Sequence, residues 1–189
     1  ALIRLRERKY REEKPLAIMV RDLERARELA YVSSEEEKLL TGPERPIVLL
    51  KKKGGTLISP LVAPGMANLG IMLPYTPLHH LLLDSEFPAL VMTSANQTDE
   101  PICIGNDEAM TRLKGIADYF LFHNRDIVVR CDDSIAVVAQ GAPRMMRRSR
   151  GYVPRPLVMA RPYPPVLGLG AARVAADGRH VRAGDAGVP

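Results

Sequence analysis

Two short stretches carry the residue types that could do chemistry. In RKYREEKP (residues 8–15), Lys9, Arg11 and Lys14 offer closely spaced cations. In LVMTSANQTDEPI (90–102), an apolar run stops abruptly at Thr93, Ser94, Asn96, Gln97 and Thr98, with Pro101 behind them. Cations suit an anionic ligand, and the arginine fork suits a phosphate. Neutral hydroxyls and amides can hold phosphate oxygens without adding repulsive negative charge. Both stretches also have plainer readings. Lys9 and Arg11 alternate with Glu7, Glu12 and Glu13, as in a solvated, salt-bridged helix face. The polar cluster from Thr93 to Thr98 also suits a turn before Pro101.

Further along, RCDDSI (130–135) places Asp132 and Asp133 beside Ser134, and RMMRRSR (144–150) is basic with no acid to offset it. The carboxylate pair could hold Mg²⁺ near phosphates or form a charged turn. No Walker loop and no GxGxxG is present. No GxSxG surrounds Ser94 and no nearby His completes a triad, which argues against a serine nucleophile. His79 and His80 are adjacent and rarely could point at one metal. Cys103 and Cys131 lack metal-ligand spacing, are too few for a disulfide framework, and read as small buried side chains in a reducing cytoplasm.

These residues need a scaffold. The 189 residues, 46% hydrophobic and 26% charged, suffice for one domain with a sizeable core. No apolar run approaches the ~18 residues of a membrane span, and the start lacks the apolar core of a signal peptide. A net charge of +5 favours an anionic partner without naming it. Hydrophobic periodicity predicts a helix end at 2–8, a buried strand at 15–20 and a helix at 21–32. A helix capped near Ser34 and ending by Gly42 follows, then a strand at 46–52. A buried helix at 77–83, with His80 in the core, leads to a strand at 88–93. A helix capped by Asn106 covers 106–113, and strands are predicted at 119–123, 127–130 and 134–140. The run at 142–149 alternates less clearly. This order predicts an α/β domain with a mixed sheet. From Ala171 onward the chain has almost no large apolar residues, and disorder is expected over 171–189.

Several ordered motifs carry a resemblance. RKYREEKPLAIMV (8–20), APGMANLGIMLPYTPLHHLLL (63–83), LVMTSANQTDEPI (90–102), FLFHNRDIVVRCDDSI (120–135) and MRRSRGYVPRPL (146–157) resemble the YrdC-like domain of the HypF carbamoyltransferases of NiFe-hydrogenase maturation. The likeness spans roughly residues 2–170. K-x-R-x-x-K-P-L and T-S-A-N are shared with the wider YrdC family; the remaining motifs resemble HypF specifically. The family's domain begins with a further glycine-containing segment, so the domain at 1–170 reads as truncated at its N-terminus. The 171–189 stretch reads as divergent, as a frameshift or a truncated gene would leave it. The acylphosphatase, zinc-finger and carbamoyl-transfer domains of HypF have no counterpart in these residues, and zinc belongs to those domains.

The resemblance implies a YrdC-like twisted mixed sheet with helices around a basic cavity. It also implies a reaction: carbamate, released from carbamoyl phosphate, attacks the α-phosphorus of ATP to give carbamoyl-adenylate. The carbamoyl group then passes to the C-terminal cysteine of a HypE-like acceptor protein. Carbamate is already an anion, so the task is to screen two anions as they meet. Lys9 and Arg11 match the K-x-R pair and take the catalytic role. Lys14, Thr93, Ser94, Asn96, Ser134, Arg147 and Arg148 take the nucleotide or substrate. Mg²⁺ accompanies ATP, with Asp132 and Asp133 as candidate ligands, and Tyr75 and His79 would shape the carbamoyl end. Two other functions compete: threonylcarbamoyl-adenylate synthesis for tRNA modification, and binding of double-stranded RNA, an association made for this fold. A cytoplasmic enzyme with no membrane partner is expected.

Overall fold

A computed structural model describes residues 1–83, 87–98 and 100–157. The expected tail at 171–189 lies outside the described residues. The first element is a helix, α1 (Leu2–Arg8), and the continuous apolar run behind Pro15 forms strand β1 (Ala17–Val20). Asp22 caps α2 (Leu23–Leu29), its carboxylate accepting the Arg25 N–H at 2.8 Å. Ser33, one residue before the expected cap, heads α3 (Ser34–Thr41) in a reciprocal capping box with Glu36. Strands β2 (Ile47–Lys51) and β3 (Asn68–Met72) follow, then helix α4 (Pro77–Leu82), strand β4 (Ala89–Met92) and helix α5 (Asn106–Leu113). The chain returns through β5 (Ile135–Ala139) and β6 (Ala142–Arg147).

The strands form one mixed sheet in the order β4-β1-β3-β2-β5-β6. β1 with β3 and β2 with β5 are parallel; the other neighbours are antiparallel. Side chains alternate across it, as the strand period demands. Ile18, Val20, Val48, Leu50, Leu69 and Ile71 join Ala26 and Leu40 of the helices in the larger core cluster. Met19 and Met72, from the opposite face, meet Leu83 in a smaller one. No helix among the described residues is long and apolar enough to cross a membrane.

Several expectations need correction. The helix at 77–82 forms, but none of its residues is buried: Leu78, Leu81 and Leu82 face outward, and so does His80. Only Leu83, at its end, reaches the core. Gly105 rather than Asn106 is the cap of α5, because the Glu108 carboxylate accepts the N–H groups of Ile104 and Gly105. The Asn106 amide instead donates to the His123 carbonyl at 3.0 Å. The segments 119–123 and 127–130 are not strands. Their β-forming residues find no ladder, and Tyr119, Leu121, Val128 and Val129 are all at least 71% exposed. Strand preference is a preference for a pleated, half-covered surface, and without a neighbour it is not realised. Cys103 is buried as expected, but Cys131 is exposed.

Beyond β6 the chain is stapled back to the loop between α3 and β2. Arg150 donates from Nε to the Asp133 carboxylate at 2.7 Å, and from its two terminal nitrogens to the carbonyls of Glu44 and Arg45. Its guanidinium lies 3.5 Å from the centre of the Tyr75 ring. Gly151 has φ +85, and a Cβ there would stand 2.8 Å from the Glu44 backbone. Gly151→Ala therefore adds left-handed strain to a clash with main chain, and should cost about 2–4 kcal/mol. Urea unfolding of the folded chain reads this directly; a loss below 1 kcal/mol would show that the staple yields.

Candidate anion-binding site

The antiparallel register of β4 on β1 decides where the two reactive stretches meet. Met92 pairs with Ala17, so Thr93 emerges where β1 begins, beside the loop that carries Lys9, Arg11 and Lys14. That loop is shaped from α1. Lys9 ends the helix, and Tyr10 adopts φ 47, which reverses the chain between Lys9 and Arg11. Arg6, only 7% exposed, holds the turn from inside: it donates to the carbonyls of Leu61 (2.7 Å), Arg11 (2.8 Å) and Glu12 (2.9 Å).

The cations then reach the polar loop. Lys9, 4% exposed, donates from Nζ to the Ser94 carbonyl at 2.7 Å and to Asn96 Oδ1 at 3.3 Å. Arg11 donates to Thr93 Oγ1 at 3.1 Å and to the carbonyls of Lys14 and Pro15. The Ser94 hydroxyl donates to Asn96 Oδ1 at 2.7 Å, and the Asn96 amide donates to the Glu100 carbonyl at 2.8 Å. Thr98 completes the join, its hydroxyl donating to the Lys9 carbonyl. Both plain readings of these stretches were incomplete. The polar loop is a turn, but one built around a buried ammonium.

The charge balance around the buried Lys9 is unusual. Among the described residues, Lys9, Arg11 and Lys14 form no ion pair, although each of the neighbouring Arg4, Arg8 and Arg112 does. Burial, reinforced by repulsion from Arg11 and Lys14, lowers the Lys9 ammonium to a pKa of about 8, with Cys103 offsetting it slightly. Burial, then Arg6, lowers Arg11 as well. Each hydrogen-bond partner of the Lys9 ammonium is a neutral acceptor. Such a site favours an anion, which would supply the missing counter-charge. Arg11 and Arg6 also border a surface hollow of about 370 Å³.

The other expected site residues lie elsewhere. Ser134 precedes Ile135 of β5, which pairs with Ile47 at the start of β2, and β5 stands three strands from β1 in the sheet. Among the described residues no hydrogen bond or ion pair joins this group to Lys9 or Ser94. Ser134 is fully buried; its hydroxyl donates to the Arg150 carbonyl and accepts the Ser149 N–H. Arg148 donates to the carbonyls of Tyr152 and Arg155, and Arg147 stands 4.0 Å from Asp132. Asp133 is committed to Arg150. The pair therefore does not fit a two-carboxylate Mg²⁺ site, and among the described residues no three metal-ligating side chains gather. Tyr75 and His79 pack edge to face at 4.6 Å, next to Arg150. Burial, followed by repulsion from Arg150, lowers the His79 pKa, and burial raises that of Tyr75.

The family model described as telomere recombination, that of the Sua5, YciO and YrdC proteins, matches residues 1–149. The chain belongs to the Sua5/YciO/YrdC family. The carbamoyltransferase HypF of Rhizobium leguminosarum is 49% identical over 174 residues, covering 88% of this chain and 23% of that protein. The chain thus spans about a quarter of that relative's length. A crystal structure of full-length HypF, described as phosphate- and nucleotide-bound, superposes with a TM-score of 0.78 at 51% identity, over 84% of this chain and 21% of that one. The fold extends to Sua5 of P. abyssi, complexed with L-threonine, at a TM-score of 0.65 and 19% identity, over 78% of this chain and 44% of that one.

Within this Sua5/YciO/YrdC domain, sequence reasoning missed Arg6, Arg112 and Arg150. Each is a buried or half-buried guanidinium spent on backbone carbonyls or carboxylates. In the sequence they look like any surface arginine. Only the unopposed basic run at 144–150 hinted at one of them.

Proposed function

We propose that this chain is the ATP- and carbamate-binding module of a HypF-type carbamoyltransferase acting in hydrogenase maturation in the cytoplasm. One observation carries the reading: two cations without ion pairs, Lys9 and Arg11, reach a loop of neutral hydroxyl and amide groups, with Lys14 near enough to repel Lys9. The close relative described as phosphate- and nucleotide-bound supports it. Two free thiols suit a reducing compartment.

In this reading Lys9 and Arg11 hold ATP phosphates, with Lys14 adding charge at the rim. Thr93, Ser94 and Asn96 supply neutral hydrogen bonds. Carbamate, freed from carbamoyl phosphate, uses its anionic oxygen to form a bond to the α-phosphorus. The bond from that phosphorus to the bridging oxygen breaks, and pyrophosphate leaves with the electron pair. No general base is required, and the cations stabilise the charge that gathers on phosphate oxygens in the transition state. Any Mg²⁺ would be held by the ATP phosphates themselves and would help neutralise their charge. The thiolate of the C-terminal cysteine of a HypE-like acceptor then bonds to the carbamoyl carbon, the bond from that carbon to the AMP oxygen breaks, and AMP leaves with the electron pair.

The test is calorimetry with Mg²⁺ present. ATP should bind more tightly than GTP, and a folded chain that binds no adenine nucleotide would sink the reading. Threonine should not support pyrophosphate release. A threonine-dependent adenylate in a mass spectrum would move the assignment to the tRNA-modifying chemistry.

A further inference from the structure

The loop that presents Ser94 and Asn96 is itself held by a side chain with no part in the chemistry above. Asn96 can offer Oδ1 to Lys9 and to the Ser94 hydroxyl because its Nδ2 is engaged on the other side, by the Glu100 carbonyl at 2.8 Å. An amide turned through half a rotation would aim its N–H groups at an ammonium instead. The place of the Glu100 carbonyl decides between the two. Glu100 is fixed by Arg112 on α5, whose Nη2 and Nε reach one carboxylate oxygen at 2.6 and 3.2 Å. The same Nη2 donates to the Pro101 carbonyl at 3.1 Å, and the Arg112 carbonyl accepts the Gln97 side-chain amide at 2.8 Å. Glu108, one turn back on α5, takes Nη1 and so aims the guanidinium fork.

We propose that Arg112 is a positioning residue for the anion site: by anchoring Glu100 it fixes the Asn96 amide with its oxygen toward Lys9. Arg112 hydrogen-bonds to Glu100, Glu108 and Pro101, and acts on Lys9 only through them. Its effect on nucleotide affinity rests on the function proposed above, whereas its effect on Lys9 needs no ligand at all.

That difference supplies the test. Lysine side-chain NMR across a pH titration reads the Lys9 ammonium in the whole chain. Arg112→Gln should lower its pKa by about half a unit or more, because an acceptor that stabilised the charged form is lost. Of the charged or titratable groups that act on Lys9, Arg11 and Lys14 are untouched by the substitution, whereas Cys103 feels Arg112 directly, so both chains carry Cys103→Ser in this comparison. Simple loss of a nearby cation would move the pKa the other way, upward, so the sign separates positioning from bulk electrostatics. ATP affinity at pH 8 should fall about three- to tenfold, and Arg112→Lys should recover little, since one ammonium cannot span the contacts of a guanidinium fork. A folded Arg112→Gln chain with an unchanged or raised Lys9 pKa overturns the proposal, whatever its thermal midpoint. If that variant does not fold, Glu100→Ala removes the same anchor from an exposed side chain and should shift Lys9 in the same direction; no shift there is equally decisive. A wild-type chain that binds no ATP would overturn the nucleotide reading and leave the titration as the deciding readout.

Discussion

Lys9→Met should remove ATP binding, by a hundredfold or more, while leaving the fold as stable as before or more so. The ammonium is buried at a cost, and its partners are a carbonyl and an amide oxygen rather than a carboxylate. Methionine fills a similar volume without that charge, so the desolvation cost disappears with it. The carbonyl it leaves belongs to the exposed Ser94, where water can replace it. A ligand phosphate, in contrast, loses its nearest cation. At ~4 Å and an effective dielectric of ~20 that attraction is about 4 kcal/mol, and ~2.7 kcal/mol already corresponds to a hundredfold. The pH dependence follows. The unfolded chain keeps the lysine proton to about 10.5 and the folded chain to about 8. Between those values the unfolded state binds more protons, so stability rises with pH. ATP affinity should fall through the same window as Lys9 loses its charge, and Lys9→Met should flatten Lys9's share of both trends. Paired melts and titrations at pH 7 and pH 9.5 measure this. Wild-type affinity in the variant would end the case for Lys9.

How much of this was legible in the sequence depends on how local the signal was. The helices and inner strands were readable because each carries its own period: Ile18, Val20, Val48, Leu50 and Ile71 alternate as a sheet face must. The capping box of α3 is written in Ser33 and Glu36, and the expectation missed it by one residue. The failures are non-local. Residues 119–123 and 127–130 read as strands because their side chains suit one, yet a strand exists only with a neighbour. Helix α4 read as buried because Leu78, Leu81 and Leu82 are apolar, but nothing among the described residues covers that face. At the site, the register of Met92 on Ala17 brings together the K-x-R and T-S-A-N stretches that the sequence singled out. Ser134 was carried over from the resemblance to the wider family; in the fold its hydroxyl ties β5 to the Ser149–Arg150 turn. Arg6, Arg112 and Arg150 could not be told from surface charge, because the carbonyls they hold lie many residues away in the chain.

Asn96→Asp should cost ATP at least tenfold in affinity with little change in thermal midpoint, and the structure supplies two reasons. The new carboxylate would stand where Oδ1 now accepts from Lys9 at 3.3 Å, and an ion pair would form. That pair restores the Lys9 pKa upward and consumes the charge a phosphate would use. It also sets a negative charge in the path of the polyphosphate, where like charges at ~4 Å repel by about 4 kcal/mol at a dielectric of ~20. For stability the terms oppose each other. The ion pair relieves the buried ammonium, while the amide N–H to the Glu100 carbonyl is lost, at about 1 kcal/mol. Asn96→Ala separates these effects, since it removes the Lys9 acceptor without adding charge, and its loss of affinity should be the smaller. If the loop were a turn alone, aspartate would serve as well as asparagine and binding would stay put, even as the Lys9 pKa rose beside the new carboxylate. The deciding measurements are ATP calorimetry, the thermal midpoint and the Lys9 pKa on both variants. Wild-type ATP affinity in Asn96→Asp would show that the anion does not sit at this loop.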